Sequence, residues 1–469
     1  MKNNLWILTE ERPKTAVIVK ILQEFAKDYK CSFFINALQI IPILDKNNKF
    51  TFTYEVIGVT SRNENCFDRI FLKTVSGQSS FVDFLVFLQN SEPTINDKPI
   101  YAIEETKTDD SESRNTGVYQ RCSKFVFIQS YYPTVKKIML YELQIEQKKK
   151  PTKTNIFGTR LLLTLGVKIL GKQIDTALYT PFESIDELIS FKQQMRKATK
   201  GNTPINITKY DSHIEVSGRL EKSGGLTHDP NIGALSIISA VIRKLGWNKD
   251  IVITQHGLSQ NMVSSNNKFI QIANVIGIKI DGLSIPETSL PTDYWHYDTT
   301  GEKLGTIFIH ITSENFESAC SIFENHAGCE KGYFITDKGE PIALPKYVDR
   351  TAYKKGDKTS IYYIPDLILF DKKKNEIINI EGKTYENMQL GIQELKNYDD
   401  IERDFIKKYY PSCEIIRTVV LYGSDCKKID NEKVGFLLNQ DGVLVLGPVP
   451  PNLFTRAIYN LKSFWNNIP

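Results

Sequence analysis

Two apolar runs decide the reading of this chain: Ile364-Pro365-Asp366-Leu367-Ile368-Leu369-Phe370-Asp371 and, after Lys372-Lys373-Lys374, Asn375-Glu376-Ile377-Ile378-Asn379-Ile380-Glu381-Gly382-Lys383. Each reads as a strand bounded by polar turn residues. Side chains alternate along a strand, so Glu381 and Lys383 point the same way. If the strands pair as a hairpin, Asp366 faces them. Two carboxylates and an ammonium then converge on one point, where a hard divalent cation can be held and water activated beside it.

The pattern occurs a second time. Phe81-Val82-Asp83-Phe84-Leu85-Val86-Phe87-Leu88 leads into Tyr101-Ala102-Ile103-Glu104-Glu105-Thr106-Lys107. Strict alternation puts Glu105 and Lys107 on one face and Glu104 on the other, a choice that a bulge would reverse. An acid-x-Lys triplet alone is weak, because about five arise by chance in a chain of this composition. Its context carries the weight. Each triplet ends an apolar strand, follows an Asp on the strand before, and precedes an expected helix and a further strand.

With these motifs the chain resembles the PD-(D/E)xK nuclease superfamily, and within it the type II restriction endonucleases. The resemblance rests on Pro365-Asp366 with Glu381-Gly382-Lys383, and on Asp83 with Glu105-Thr106-Lys107. It implies that Asp366 and Glu381, and Asp83 and Glu105, bind Mg²⁺, helped by the backbone carbonyls of Gly382 and Thr106. It implies that Lys383 and Lys107 orient or activate the attacking water. The first motif departs from the pattern, with Val82 where proline is common. The family often adds a carboxylate from the preceding helix, for which Glu24 and Glu317 are the candidates. The implied activity is Mg²⁺-dependent cleavage of double-stranded DNA, one active site per strand, at an asymmetric sequence. A structure-specific or repair nuclease of the same superfamily, and a DNA-binding protein without catalysis, are the alternatives.

The rest of the chain is read around these motifs. A helix is expected over 13–29, a hairpin turn at Asp45-Lys46-Asn47-Asn48, a helix over 112–129 and a strand at Lys137–Leu143. The basic run Lys148-Lys149-Lys150-Pro151-Thr152-Lys153 reads as a linker, a solvated hinge or alternatively a phosphate-tracking strap. Beyond it come a helix at Ser184–Lys197, a hairpin at Ile205–Ser217, a helix opened by Asp229-Pro230 and stopped at Gly246, and a strand at Ile251–Thr254. The last third repeats the first: a helix at Thr312–Asn325, strands at Gly332–Thr336, Ile361–Phe370 and Glu376–Lys383, a long helix at Met388–Lys408, and a strand at Glu414–Tyr422. A hairpin around Asn439–Gly442 and an amphipathic segment Leu453–Trp465 close the chain. The expected fold class is α/β (α+β): two restriction-endonuclease-like domains with mixed central sheets, at 1–147 and 301–469, flanking a recognition region at 148–300. Bases would be read there by Gln255, His256, Gln260 and Asn261, since Asn and Gln pair well with adenine. The segment Tyr294-Trp295-His296-Tyr297-Asp298 reads as packed aromatics at a domain junction, with a wedge at a distorted base step as the alternative.

Bulk properties narrow the class. A net charge of +4 over 469 residues permits a nucleic-acid partner without demanding one. Seven cysteines without a Cys-x-x-Cys argue against a disulfide framework, and no His/Cys spacing suggests zinc. No stretch reads as a signal peptide or membrane span. A cytoplasmic monomer is expected, with a homodimer as the alternative. No Walker-type glycine loop is present, so coupling to ATP hydrolysis is not expected.

Overall fold

The Glu376–Thr384 stretch forms a strand at the centre of a six-stranded mixed sheet. The order across the sheet is Cys320–Glu324, Leu367–Asp371, Glu376–Thr384, Glu414–Tyr422, Val434–Leu438, Leu444–Leu446. Every side chain from Ile377 to Lys383 is buried, as expected of a strand covered on both faces. Its neighbour Leu367–Asp371 runs antiparallel, with Leu367 opposite Ile380. On the other side Glu414–Tyr422 runs parallel, with Glu381 opposite Val419. The tight turn between the first two strands is set by its own residues. Asp371 Oδ1 accepts from the Lys373 N–H at 3.0 Å. Asn375 adopts the left-handed conformation (φ 56°) that asparagine tolerates.

The computed structural model describes residues 3–12, 14–62, 66–77, 81–106, 116–141, 153–171, 178–195, 205–219, 221–222, 225–226, 231–265, 267–289, 291–298, 301–326, 333–344, 363–426 and 428–467. Lys107, Asp229, Pro230 and most of the basic run 148–153 lie outside them. Among the described residues the chain is a mixed α/β protein. No helix among them is long and apolar enough to cross a membrane.

The chain divides into two compact units, and they are not consecutive segments. One unit joins Met1–Ser76, Leu88–Glu92 and Tyr297–Pro469; the other joins Gly77–Phe87 with Pro93–His296. The segments 1–147, 148–300 and 301–469 do not coincide with these units. In the first unit the long hairpin Phe33–Leu44/Phe50–Ser61 turns where expected, with Asp45 Oδ1 accepting from the N–H groups of Asn47 and Lys49 at 2.8 and 2.9 Å. This hairpin packs on the C-terminal elements: the Phe50 ring lies 5.0 Å from Phe308, and Trp465 Nε1 donates to the Pro42 carbonyl at 2.7 Å. The strand Asn4–Thr9, parallel to Ile70–Gly77, is an element that the sequence reading lacked.

The helix expected at Thr312–Asn325 is displaced. The structure has a helix at Lys303–Glu317, then a strand at Cys320–Glu324. All side chains from Leu304 to Ser313 are buried. A helix covered all round carries no polar face, so its period is invisible, and the β-branched run Thr306–Thr312 imitates a strand.

The second unit carries the first part of the strand Phe84–Gln89, then Tyr101–Thr106, Lys136–Tyr141 and Lys168–Leu170. Tyr101–Thr106 pairs antiparallel with the first and parallel with the third. It also holds a four-stranded sheet in the order Ile278–Ile280, Asp250–Thr254, His213–Ser217, Asn206–Lys209. The first three of these run parallel, joined by the helices Asn231–Lys244 and Asn267–Ile276.

Candidate functional site

The hairpin register, continued one residue beyond Leu367–Ile380, sets Asp366 beside Glu381. Neighbours across a strand pair share a face. Asp366 Oδ2 also accepts the Gly382 N–H at 2.9 Å. Lys383 Nζ lies between two carboxylates, against Glu381 Oε1 and 3.0 Å from Glu394 Oε2. The other oxygen of Glu381 accepts from the Tyr398 hydroxyl. The trio expected from the sequence therefore comes together, and Glu394 and Tyr398 from the following helical segment complete it. These two were missed. Their spacing of four, just after the second strand, is the signal that could have found them.

Glycines let the cluster close. A Cβ on Gly382 would stand 2.7 Å from Thr306 Cγ2, 3.2 Å from the Glu302 carbonyl and 3.4 Å from Asp366 Oδ2. A Cβ on Gly391 would stand 2.8 Å from Lys383 Cγ, so the lysine stem lies directly over this helical glycine.

The electrostatics are those of crowded anions. Desolvation pushes the Asp366 carboxyl up to about 6, with Glu302 and Glu394 adding to the rise and Lys383 and the Gly382 N–H opposing it. Burial, then the charge of Asp366, raises Glu381 well above the carboxylate range. Burial and the Glu381 charge raise the Tyr398 hydroxyl likewise. Asp366, Glu381 and Glu394 face one ammonium, so the cluster is over-supplied with negative charge. That donor set is all hard oxygen, and Asp366 and Glu381 are the residues that could hold a divalent cation such as Mg²⁺. A carboxylate offers about four acceptor sites, so the bonds from Lys383 and Tyr398 leave Glu381 able to coordinate.

Glu317 does not belong to this cluster. It binds Arg456 Nε at 2.8 Å and Lys373 Nζ at 3.0 Å, and it sits at the far end of the Lys303–Glu317 helix, about 22 Å from Glu302 at 1.5 Å per residue. Glu302, just before that helix, is the carboxylate from this element whose charge reaches Asp366.

The first motif assembles differently from its sequence reading. Phe84 pairs with Ile103, so the register sets Asp83 beside Glu104 rather than Glu105. Glu104 is fully buried; its Oε2 accepts the Asp83 N–H at 3.2 Å. The Glu105 N–H donates to Asp83 Oδ2 at 2.6 Å, the same bond that Gly382 makes to Asp366. By this register Glu104 matches Glu381, Glu105 matches Gly382, and Thr106 stands where Lys383 does. Lys107 lies outside the described residues. An ammonium comes instead from the helix Thr116–Tyr131: Lys124 Nζ lies 2.9 Å from Glu104 and 3.6 Å from Asp83. The physical reason for the difference is register. Alternation within one strand says which residues share a face, but not which face meets Asp83 across a connection of eleven residues. Glu24 is buried in the other compact unit.

The polar cluster of the middle region sits just past the carboxyl end of Asp250–Thr254, the edge where open parallel sheets present ligand sites. Two of its members are engaged within the fold. His256 Nε2 meets the Asp281 carbonyl at 2.9 Å, and its Nδ1 accepts from the Leu258 N–H at 2.9 Å. Gln260 Nε2 donates to the Ser284 carbonyl at 2.8 Å while its Oε1 accepts the Ser284 N–H at 3.0 Å. Gln255 and Asn261 are exposed. Tyr294 and Trp295 are packed inside, with the Tyr294 hydroxyl accepting from the Val82 N–H at 3.1 Å.

No protein-family model, no curated protein and no solved structure matches this chain.

Proposed function

We propose that the chain is a Mg²⁺-dependent, sequence-specific endonuclease of double-stranded DNA, of the type II restriction kind. The observation that carries this reading is the convergence of Asp366, Glu381 and Lys383 on one face of a paired strand end, in a cluster with more negative charge than its lysine offsets. The second site is Asp83, Glu104 and Lys124, in place of the Glu105 and Lys107 of the linear motif. Support for two related modules comes from their shared order: an antiparallel pair bearing the carboxylates, a helix, then a parallel strand. A bound Mg²⁺ would neutralise the scissile phosphate and lower the pKa of its water. The chain's own groups do the rest. Lys383 donates to the attacking water or to a phosphate oxygen as a point charge. Tyr398 fixes the orientation of Glu381, and the Gly382 N–H fixes that of Asp366. Water adds to phosphorus, the P–O bond to the leaving sugar oxygen breaks, and that oxygen takes a proton.

Two sites in one monomeric chain let each take one strand of an antiparallel duplex without imposing two-fold symmetry on the DNA. The middle region, with Gln255 and Asn261 exposed, is where the bases would be read. The test is digestion of plasmid DNA with Mg²⁺, with the cut on each strand mapped by sequencing. Discrete fragments from one recurrent, asymmetric sequence are expected. A folded protein that leaves duplex DNA intact in Mg²⁺ and Mn²⁺, or that cuts it at random, refutes the proposal.

A further inference from the structure

Thr306, whose Cγ2 lies close to Gly382, also meets His326 through its Oγ1, and there two histidines come together where the linear sequence offers no metal motif. His310, fully buried, comes from the Lys303–Glu317 helix. Glu324 ends the strand Cys320–Glu324, and His326 follows it by two. One donor atom from each of the three lies within 4.8 Å of the others. His310 Nδ1 and His326 Nε2 face each other at 2.8 Å, and Glu324 Oε2 lies 3.6 Å from His310 Nδ1.

The groups behind the rings decide which nitrogens carry protons. Thr306 Oγ1 donates its hydrogen to the Lys303 carbonyl at 2.9 Å. Its oxygen therefore accepts from His326 Nδ1, 2.9 Å away, and His326 Nε2 is left as a bare lone pair. On the other ring, His310 Nε2 donates to Glu314 Oε1 at 3.1 Å. Glu314 is an acceptor only. Its other oxygen, Oε2, pairs with the Arg12 guanidinium. A neutral His310 thus also turns a lone pair inward, at Nδ1. Two inward lone pairs at 2.8 Å repel unless a cation sits between them, either a proton or a metal ion. Each ring is oriented by an outer acceptor, as metal-binding histidines are.

We propose that His310 Nδ1, His326 Nε2 and Glu324 form a binding site for one divalent transition-metal ion of the zinc class, distinct from the Mg²⁺ carboxylate cluster. Imidazole and carboxylate suit Zn²⁺ at bond lengths of about 2.0–2.2 Å. Tetrahedral bonds of that length separate two ligand nitrogens by about 3.3 Å, so the rings need to part by only about half an ångström. Glu324 at the strand end, His326 two residues beyond it and the one helical donor would then be pinned together, with Arg12 balancing Glu324 at 3.3 Å and Glu314. Water would fill the fourth position.

The site is tested on the full-length protein with Zn²⁺ for affinity and Co²⁺ for its visible ligand-field spectrum. One equivalent of zinc per chain is expected, competing with a chromophoric chelator, together with Co²⁺ bands of a four-coordinate N/O site and a zinc-dependent rise in Tm. His326→Gln and Glu324→Gln, which keep size and hydrogen bonding, should each weaken zinc binding at least about tenfold and lose the Tm rise. Asp366→Asn should retain both. A folded wild-type protein that takes up no zinc holds a shared proton instead, and the proposal fails. Zinc lost in Asp366→Asn but kept in His326→Gln puts the ion in the carboxylate cluster, and the proposal fails equally.

Discussion

The buried carboxyl of Asp366 makes stability depend on pH in a direction opposite to that of an ordinary salt-bridged acid. Its folded pKa of about 6 stands above the ordinary aspartate value of 3.8 because desolvation disfavours the charged form. A group raised in this way stabilises the fold when protonated. Its contribution is full below about pH 3.8 and is lost as the pH rises through about 6. The full span is roughly 3 kcal/mol, at 1.36 kcal/mol per unit, and roughly 1.4 kcal/mol of it falls between pH 5 and pH 8. Glu381 shifts in the same sense. The perturbation is Asp366→Asn, which keeps an acceptor for the Gly382 N–H and removes the titration. In chelator, the variant should gain on the wild type by roughly 1.4 kcal/mol between pH 5 and pH 8, read from paired urea melts. Comparing the two proteins cancels titrating groups that the Asp366 charge does not reach, including His326, whose burial and neighbouring His310 lower it to about 3; Glu381, raised in part by the Asp366 charge, relaxes in the variant and adds to the gap in the same sense. Millimolar Mg²⁺ should restore the wild type at pH 8, and its affinity should fall about tenfold on going to pH 5, because a proton must first leave Asp366. A stability gap that is flat with pH, or that widens toward acid, refutes the assignment of Asp366 to a crowded anionic site.

Two further outcomes follow from named contacts. Lys383→Ala and Lys124→Ala should each slow cleavage of one strand by about 10²–10⁴-fold and leave the other, so that supercoiled plasmid accumulates as nicked circles; end-labelled duplexes show which strand survives. Gly382→Ala forces a Cβ to within 2.7 Å of Thr306 Cγ2 and 3.2 Å of the Glu302 carbonyl, and it should cost about 1–3 kcal/mol of stability as well as activity, measured by thermal melting and plasmid digestion.

What was legible in the sequence was local. Glu376–Lys383 and Glu414–Tyr422 were recognisable because β-branched runs ended in turn residues, and a three-lysine turn leaves almost no freedom of register between Leu367 and Ile380. Asp366, Glu381 and Lys383 could therefore be brought together on paper. The Tyr101–Thr106 strand was equally recognisable, but eleven residues separate it from Phe84–Gln89. With that slack the hydrophobic pattern fixes neither register nor facing residue, and Glu104 with Lys124 emerges only from the folded pairing. The buried helix Lys303–Glu317 was illegible for a different reason: with no solvated face it has no amphipathic signature, and it hid Glu302 and His310 together. Long-range clusters such as His310 with His326 depend on where a strand end meets that helix, which no spacing rule encodes.

The two carboxylate clusters share some features and differ in others. Both keep a paired Asp and Glu at a strand end, and both hold the Asp with the N–H that follows the Glu, at 2.9 Å in one and 2.6 Å in the other. That bond comes from the backbone and does not depend on the side chain, and Gly382 and Glu105 both make it. The ammonium is different, because it needs only to reach the anions. Lys383 rises from the strand itself and is 6% exposed, whereas Lys124 reaches in from a helix and is 22% exposed beside an Asp83 that is 31% exposed. A screened, more accessible ammonium exerts a weaker field on water and phosphate than a buried one. If each cluster cuts one strand, the Asp83 site should be the slower at high ionic strength, and raising the salt should increase the lifetime of the nicked intermediate. Equal salt dependence of the two strand cuts would mean that the exposure of the lysine does not set the rate.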